Sequence, residues 1–458
     1  MATIISELSS RRKTLVLVTC SLSLLISSMD ITIVNVALPD IRVDLGASVS
    51  SLQWVVDVYT LTLATLLMVS GAAADRFGRR RVFRIGLITF AVGSLMCSLA
   101  PTIGVLIAAR FLQAVGGSML NPVAMSIITA TFTDRVERAR AIGVWGAVVG
   151  VSTAIGPMIG GLLIHSLGWQ SVFWINLPII AVALLGTVLV VPESKASKAR
   201  RFDPLGQLLA AIALFTLVFA LIEKMPLLLI VSGVAGVAFV VHERRHASPF
   251  LNLRFFRSVP FSAATITAVC AFAGFGAFLF TMSIYLQDTR ALSPVQTGAM
   301  FLPMALAVLV CSPLSGRLVG NFGARPSLAG GGALMTIAAV LLTTVTPTTS
   351  LTALAGIFAV FGVGFGLLNA PITNSAVSGM PVDQAGAAAA VATTSRQVGI
   401  TIGVALCGQL AGAGLWWTVT ALAAIIVVLG FAATGAVAER TRRQVAELFD
   451  DAKEPADA

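Results

Sequence analysis

One carboxylate stands alone in a long apolar stretch. From Thr14 to Leu38 the only charge is Asp30, within Ser27-Ser28-Met29-Asp30-Ile31-Thr32-Ile33-Val34-Asn35-Val36-Ala37-Leu38-Pro39. Another apolar stretch holds a single guanidinium, Arg110, in Leu106-Ile107-Ala108-Ala109-Arg110-Phe111-Leu112-Gln113. A charge at the centre of a bilayer-spanning helix costs about 2.5–3.5 kcal/mol on insertion scales, so it faces a partner or a wet cavity. An acid there either exchanges a proton with cavity water, which is coupling chemistry, or sits in a static pair. Asp30 lies nine residues before Pro39, and Arg110 nine residues after Pro101. Both therefore sit about 13 Å below the outer surface at 1.5 Å per residue. Matched depth permits an Asp30–Arg110 interaction, directly or through water, but depth alone does not set which way the two face.

Membrane helices must hold these groups. The chain has 458 residues, 57% hydrophobic and 11% charged, against about 25% charged in soluble domains. Uncharged runs of about 20 residues recur along it, each long enough to cross about 30 Å of hydrocarbon. Fourteen spans are read, the seventh (204–222) and eighth (226–242) being the shortest and joined by a tight turn at Glu223-Lys224. The net charge of +10 does not indicate nucleic acid, because the basic residues lie in alternate short loops. Arg11, Arg12 and Lys13 precede the first span; Arg76 to Arg84, Arg135 to Arg140, Lys195 to Arg201 and Arg440 to Arg443 follow on the same side. Both termini are expected in the cytoplasm.

The five cysteines fall inside apolar runs without metal or disulfide spacing and read as packing residues. The three histidines, His165, His242 and His246, lie outside or at span ends, and neither a zinc-type H-E-x-x-H motif nor any metal cluster or cofactor is expected from them. No Gly-Lys dipeptide occurs, so no phosphate-binding Walker loop is present. Aromatics near span ends, Trp416 and Trp417 among them, read as interface anchors.

The chain repeats itself. Gly71-Ala72-Ala73-Ala74-Asp75-Arg76-Phe77-Gly78-Arg79-Arg80-Arg81 follows the second span, and Gly316-Arg317-Leu318-Val319-Gly320-Asn321-Phe322-Gly323-Ala324-Arg325 follows the tenth. One offset relating two six-span halves implies parallel repeats with a site at the membrane midplane. The expected architecture is an all-α polytopic membrane protein of two six-helix bundles with an inserted two-helix hairpin. Its parts are a cytoplasmic N-terminus (1–13), a first bundle (14–191), a linker carrying the hairpin (192–258), a second bundle (259–437) and a cytoplasmic tail (438–458).

Several stretches resemble the major facilitator superfamily, in its fourteen-span drug:proton antiporter branch. Gly71 to Arg81 resembles the loop signature G-x3-D-R-x-G-R-[RK]-[RK], which in that family latches the cytoplasmic gate; Gly71, Asp75, Arg76, Gly78, Arg79 and Arg80 are its matches. Arg110 and Gln113 resemble the fourth-span signature R-x2-Q-G-x-G, with Ala114 in place of its first glycine. Gly150, Gly156, Pro157, Gly160 and Gly161 resemble the exporters' antiporter signature G-x3-G-P-x2-G-G, with Ser152 at the first glycine position. Met29 to Pro39, Gln53 to Leu61, Trp169 to Pro178, Phe202-Asp203-x2-Gly206, Tyr285-Leu286-Gln287 and Ser395-Arg396-Gln397-x-Gly399 are similar to other signatures of the branch.

The resemblance implies export of amphipathic drugs or toxic small molecules by alternating access, driven by protons through Asp30 and Arg110, with no other cofactor. A dedicated exporter of one metabolite, antibiotic or siderophore is the alternative. Asn35, Trp54, Asp57, Tyr59, Gln113 and Tyr285 are the candidates for the substrate cavity. Asp57 reads as a group that attracts cationic drugs, as a second proton site, or as a polar residue in a wet vestibule. The expected partners are a small-molecule substrate and the lipid bilayer, with no nucleic acid; the chain is expected to act as a monomer, with or without an envelope protein.

Overall fold

The computed structural model describes residues 9–195, 203–246, 249, 251–378, 380, 382–410 and 412–450. Lys198, Arg200, Arg201 and Phe202 of the sequence reading lie outside these residues, as do the extreme termini. Fourteen helices follow the expected spans. They are α1 (Ser10–Asp44), α2 (Val49–Phe77), α3 (Arg79–Ser98), α4 (Ile103–Thr131), α5 (Arg135–Leu167), α6 (Ser171–Leu189), α7 (Pro204–Ile222), α8 (Leu227–Arg245), α9 (Val259–Ile284), α10 (Pro294–Phe322), α11 (Ala324–Thr343), α12 (Leu351–Val377), α13 (Val382–Cys407) and α14 (Ala413–Ala432). A final helix, α15 (Ala436–Asp450), is strongly amphipathic. Among the described residues, thirteen helices are long and apolar enough to cross a membrane, and α5 makes the fourteenth when its two arms count as one span.

Side-chain oxygens start many of these helices. Ser48 accepts from Ser51 N–H, Thr102 from Val105 N–H, Asp134 from Val136 and Glu137 N–H, and Ser350 from Ala353 N–H. Each satisfies donors that have no partner inside the helix. The arms of α5 meet at 44°. Pro157 lacks the N–H that would bond Thr153 and its ring crowds that carbonyl, which bends the helix there.

The repeat is visible in the elements. The same offset of 245 residues carries Val49–Phe77 onto Pro294–Phe322 and Arg79–Ser98 onto Ala324–Thr343. The glycines between them, Gly78 and Gly323, both have positive φ, 108° and 78°.

Two compact units are present, Met1–Phe202 with Thr281–Leu302, and Asp203–Phe280 with Pro303–Ala458. In the first, Cys20, Phe83, Phe90, Leu120, Ile127 and Ile180 belong to one buried cluster. The segment 281–302 belongs there through specific bonds. Gln287 Nε2 donates to the Val36 carbonyl (2.9 Å), and Arg42 pairs with Asp288 (2.7 Å). In the second unit Phe278 stacks on Phe361 and Phe275 on Phe365, each at 4.4 Å between centroids. Trp416, expected at the interface, instead meets Phe278 edge-on and is buried. Trp417 is exposed. Burial satisfies most of an indole's apolar area, so helix rotation decides which of two adjacent tryptophans anchors. Helices α7 and α8 pack on each other in this unit. Only 22% and 11% of their most apolar windows are buried, so their remaining surface is suited to lipid.

Candidate functional site

Close approach of two helices builds the site. A Cβ on Gly93 of α3 would stand 2.5 Å from the backbone of Gln113, and one on Gly116 of α4 would stand 2.3 Å from Phe90 N. Both positions exclude any side chain, so α3 and α4 touch along their backbones. That contact carries Gln113 of α4 onto Ser94 of α3. Helix α1 lies against α4 and α6, and brings Asp30 to the same depth.

Asp30 and Arg110 meet. Arg110 Nη1 donates to Asp30 Oδ2 at 2.5 Å and to Gln113 Oε1 at 2.7 Å. Gln113 Nε2 donates to Asp30 Oδ1 and to Ser94 Oγ, both at 2.9 Å. Asn176 of α6 donates to Asp30 Oδ1 (3.4 Å) and Ser94 Oγ (3.3 Å). Arg110 Nε donates to the Val55 carbonyl of α2 (3.1 Å), and its guanidinium lies 4.1 Å over the Tyr59 ring and 5.8 Å from that of Phe173. Cys97 Sγ sits 3.7 Å from Gln113 Oε1. Asp30 is 0% and Arg110 1% exposed. Two opposite charges this deep need each other, because removing either leaves an uncompensated charge in a low-dielectric interior.

The remaining sequence-derived candidates divide. Tyr59 and Gln113, expected in the cavity, belong to this network. Asn35 is buried and its amide donates to Ile31 O (2.8 Å). Asp57, whose alternatives included a wet vestibule, is fully buried, and its carboxylate oxygens have no hydrogen-bond partner among the described residues. Trp54 is half-buried on α2, and half-buried Tyr285 opens the π turn Tyr285–Thr289 after α9. Arg396 of α13 donates to Thr373 Oγ1 (2.6 Å).

The basic loop after α2 is tied down. Arg79 Nη2 pairs with Asp75 (3.1 Å), while Arg76 is exposed. Arg79 N–H donates to Ser194 O (2.9 Å), Arg80 N–H to Glu193 Oε1 (3.1 Å) and Arg80 Nη2 to Val188 O (2.5 Å). A Cβ on Gly78 would stand 2.7 Å from Glu193 Oε1. Gly71 lies half-buried, 3.8 Å from Pro122 at the position a Cβ would take. In α5, Gly156 and Gly160 meet Thr32 and Ile33 of α1, Gly161 meets Pro294, the Pro157 carbonyl meets Gly298, and Gly150 is half-buried.

Sequence reading did not single out Ser94 or Glu193, while Phe173 and Asn176 stood within the Trp169–Pro178 signature with no site role assigned to them. Asn176 carried the clearest signal, as an uncharged polar residue in an apolar span.

The profile described as Major Facilitator Superfamily matches residues 20–404. "Multidrug resistance protein Stp" of Mycobacterium tuberculosis is 37% identical over 89% of this chain and 77% of its own length. "Puromycin resistance protein pur8" of Streptomyces alboniger is 38% identical over 82% of this chain and 78% of its own. The crystal structure of a bacterial homolog to the human lysosomal transporter Spinster, inward-facing and unoccupied, superposes with a TM-score of 0.64 at 18% identity, covering 98% of this chain and all of that one. That last likeness concerns the fold.

Proposed function

The chain belongs to the major facilitator superfamily, and from this premise we propose that it is a proton-coupled secondary transporter exporting amphipathic drugs or toxic small molecules by alternating access. The observation that carries the coupling is the buried Asp30–Arg110–Gln113 network. With Asp30 ionised, its two oxygens hold the guanidinium and the Gln113 amide. Protonation removes the charge, weakens both bonds and frees Arg110 to turn toward its other acceptors. Substrate and proton then compete through that rearrangement, and the inward proton gradient drives outward transport.

Asn35, Trp54, Asp57 and Tyr285 are proposed as substrate-facing in other stages of the cycle. The proton is the only coupling ion proposed. The protein sits in the cell membrane with both termini cytoplasmic and acts as a monomer. Relatives named for resistance to one antibiotic stand beside those named for many drugs, so a dedicated exporter of one compound is the second reading. Efflux of a fluorescent cationic dye from a hypersensitive host tests the proposal. Export that an uncoupler abolishes is expected; export that survives uncoupling excludes proton drive.

Two further outcomes concern the loops. Gly78→Ala puts a side chain at φ 108° against Glu193, a strain of about 1–2 kcal/mol before the clash is counted. Export should fall about tenfold, since 1.4 kcal/mol is a factor of ten, with membrane insertion unchanged on a fractionated blot. Asp75→Asn and Arg79→Ala should likewise cut export while the loop stays basic. Wild-type export in all three variants would remove the gating role.

A further inference from the structure

Among the described residues, a cluster of ligating side chains separate from the Asp30 network stands at the base of the α7/α8 hairpin. His242-Glu243-Arg244-Arg245-His246 has the spacing H-E-x-x-H, which corrects the expectation that no such motif occurs. Residues four apart on a helix share a face. The two imidazoles lie 5.0 Å apart between centroids, 22° from parallel. From the other arm of the hairpin comes Asp203, which caps α7. One of its oxygens accepts from Gly206 N–H (2.9 Å), and both lie 2.9–3.0 Å from His242 Nε2. One ligand atom from each of Asp203, His242 and His246 lies within 4.8 Å of the others. Around a tetrahedral ion with bonds of about 2.0–2.1 Å, ligand atoms stand about 3.4 Å apart. Small side-chain rotations close the difference.

We propose that Asp203, His242 and His246 bind one divalent transition-metal ion of the zinc class and so clamp α7 to α8. Two imidazoles with one carboxylate suit zinc, cobalt or nickel rather than magnesium or calcium.

A second carboxylate points the same way. Glu243 is 4% exposed, and its Oε2 accepts from Leu251 N–H (3.0 Å). Glu243 Oε1 and Asp203 Oδ2 lie 2.4 and 2.5 Å from the position of a Cβ on Gly206, so the two acids crowd one point. A divalent cation offsets that repulsion. Arg244 and Arg245 are exposed. Zinc peptidases use the glutamate of H-E-x-x-H as a base on metal-bound water. Here Glu243 is packed against Asp203 and Leu251, which favours a structural ion holding together two segments 39 residues apart.

The test uses full-length protein in detergent, purified without a histidine tag, stripped with a chelator and titrated with Co²⁺. One equivalent with the visible bands of tetrahedral cobalt is expected, displaced by Zn²⁺. His242→Gln and His246→Gln should each weaken binding by about tenfold or more, and His165→Gln should not. Zinc should raise the melting temperature of wild type and of His165→Gln only. His246 is exposed, so its replacement tests binding while leaving the buried core of the unit intact. No cobalt spectrum in wild type, or equal binding in His246→Gln, overturns the proposal.

Discussion

Asp30→Asn should abolish uphill, proton-driven export while leaving a protein that inserts and still permits downhill substrate movement. Asparagine has nearly the shape of aspartate but no negative charge, so it mimics the protonated state permanently. Asp30 Oδ2 accepts from Arg110 and Oδ1 from Gln113. An amide presents one acceptor where the carboxylate presents two, and its NH2 faces another donor. Removing one partner of a buried pair costs about 3–5 kcal/mol, a factor of about a hundred or more. Substrate-induced proton release from purified protein at controlled pH is the measurement. Release equal to wild type would move the coupling site elsewhere, and buried Asp57 is the next candidate.

Arg110→Lys should lose nearly as much. Lysine keeps the charge but lacks the planar fork. Arg110 uses that fork three ways, donating to Asp30 and Gln113 through Nη1 and to the Val55 carbonyl through Nε, while its flat face covers Tyr59. A single ammonium reaches Asp30 only by surrendering the Val55 carbonyl and the stacking. Export should fall at least about tenfold with normal expression, and Arg110→Ala should fall further because Asp30 is left buried without its cation. Dye efflux and quantitative blotting separate transport from abundance. Wild-type export in Arg110→Lys would reduce the residue to a charge; wild-type export in Arg110→Ala would remove its role.

Much of this protein follows from local pattern. A run of about 20 apolar residues is a span whatever surrounds it, so the helices could be counted along the chain. The repeat at Gly71 and Gly316 is likewise local, because the same glycine turn must end α2 and α10. Asp30 and Arg110 stood out because a charge in hydrocarbon is costly enough to need a reason, and helix rise alone set their common depth.

Tertiary structure decided what surrounds them. Depth says nothing about rotation, and rotation put Ser94, Asn176 and Phe173 against the pair while turning Trp416 inward and Trp417 outward. Contacts between distant segments placed Glu193 under the Gly78 turn and Asp203 beside His242. The H-E-x-x-H spacing stands in the chain but escaped the sequence reading, and its third ligand could not be read there at all. A carboxylate 39 residues upstream becomes a neighbour only when α7 and α8 fold back on each other, because side-chain convergence depends on helix packing rather than on spacing within one helix.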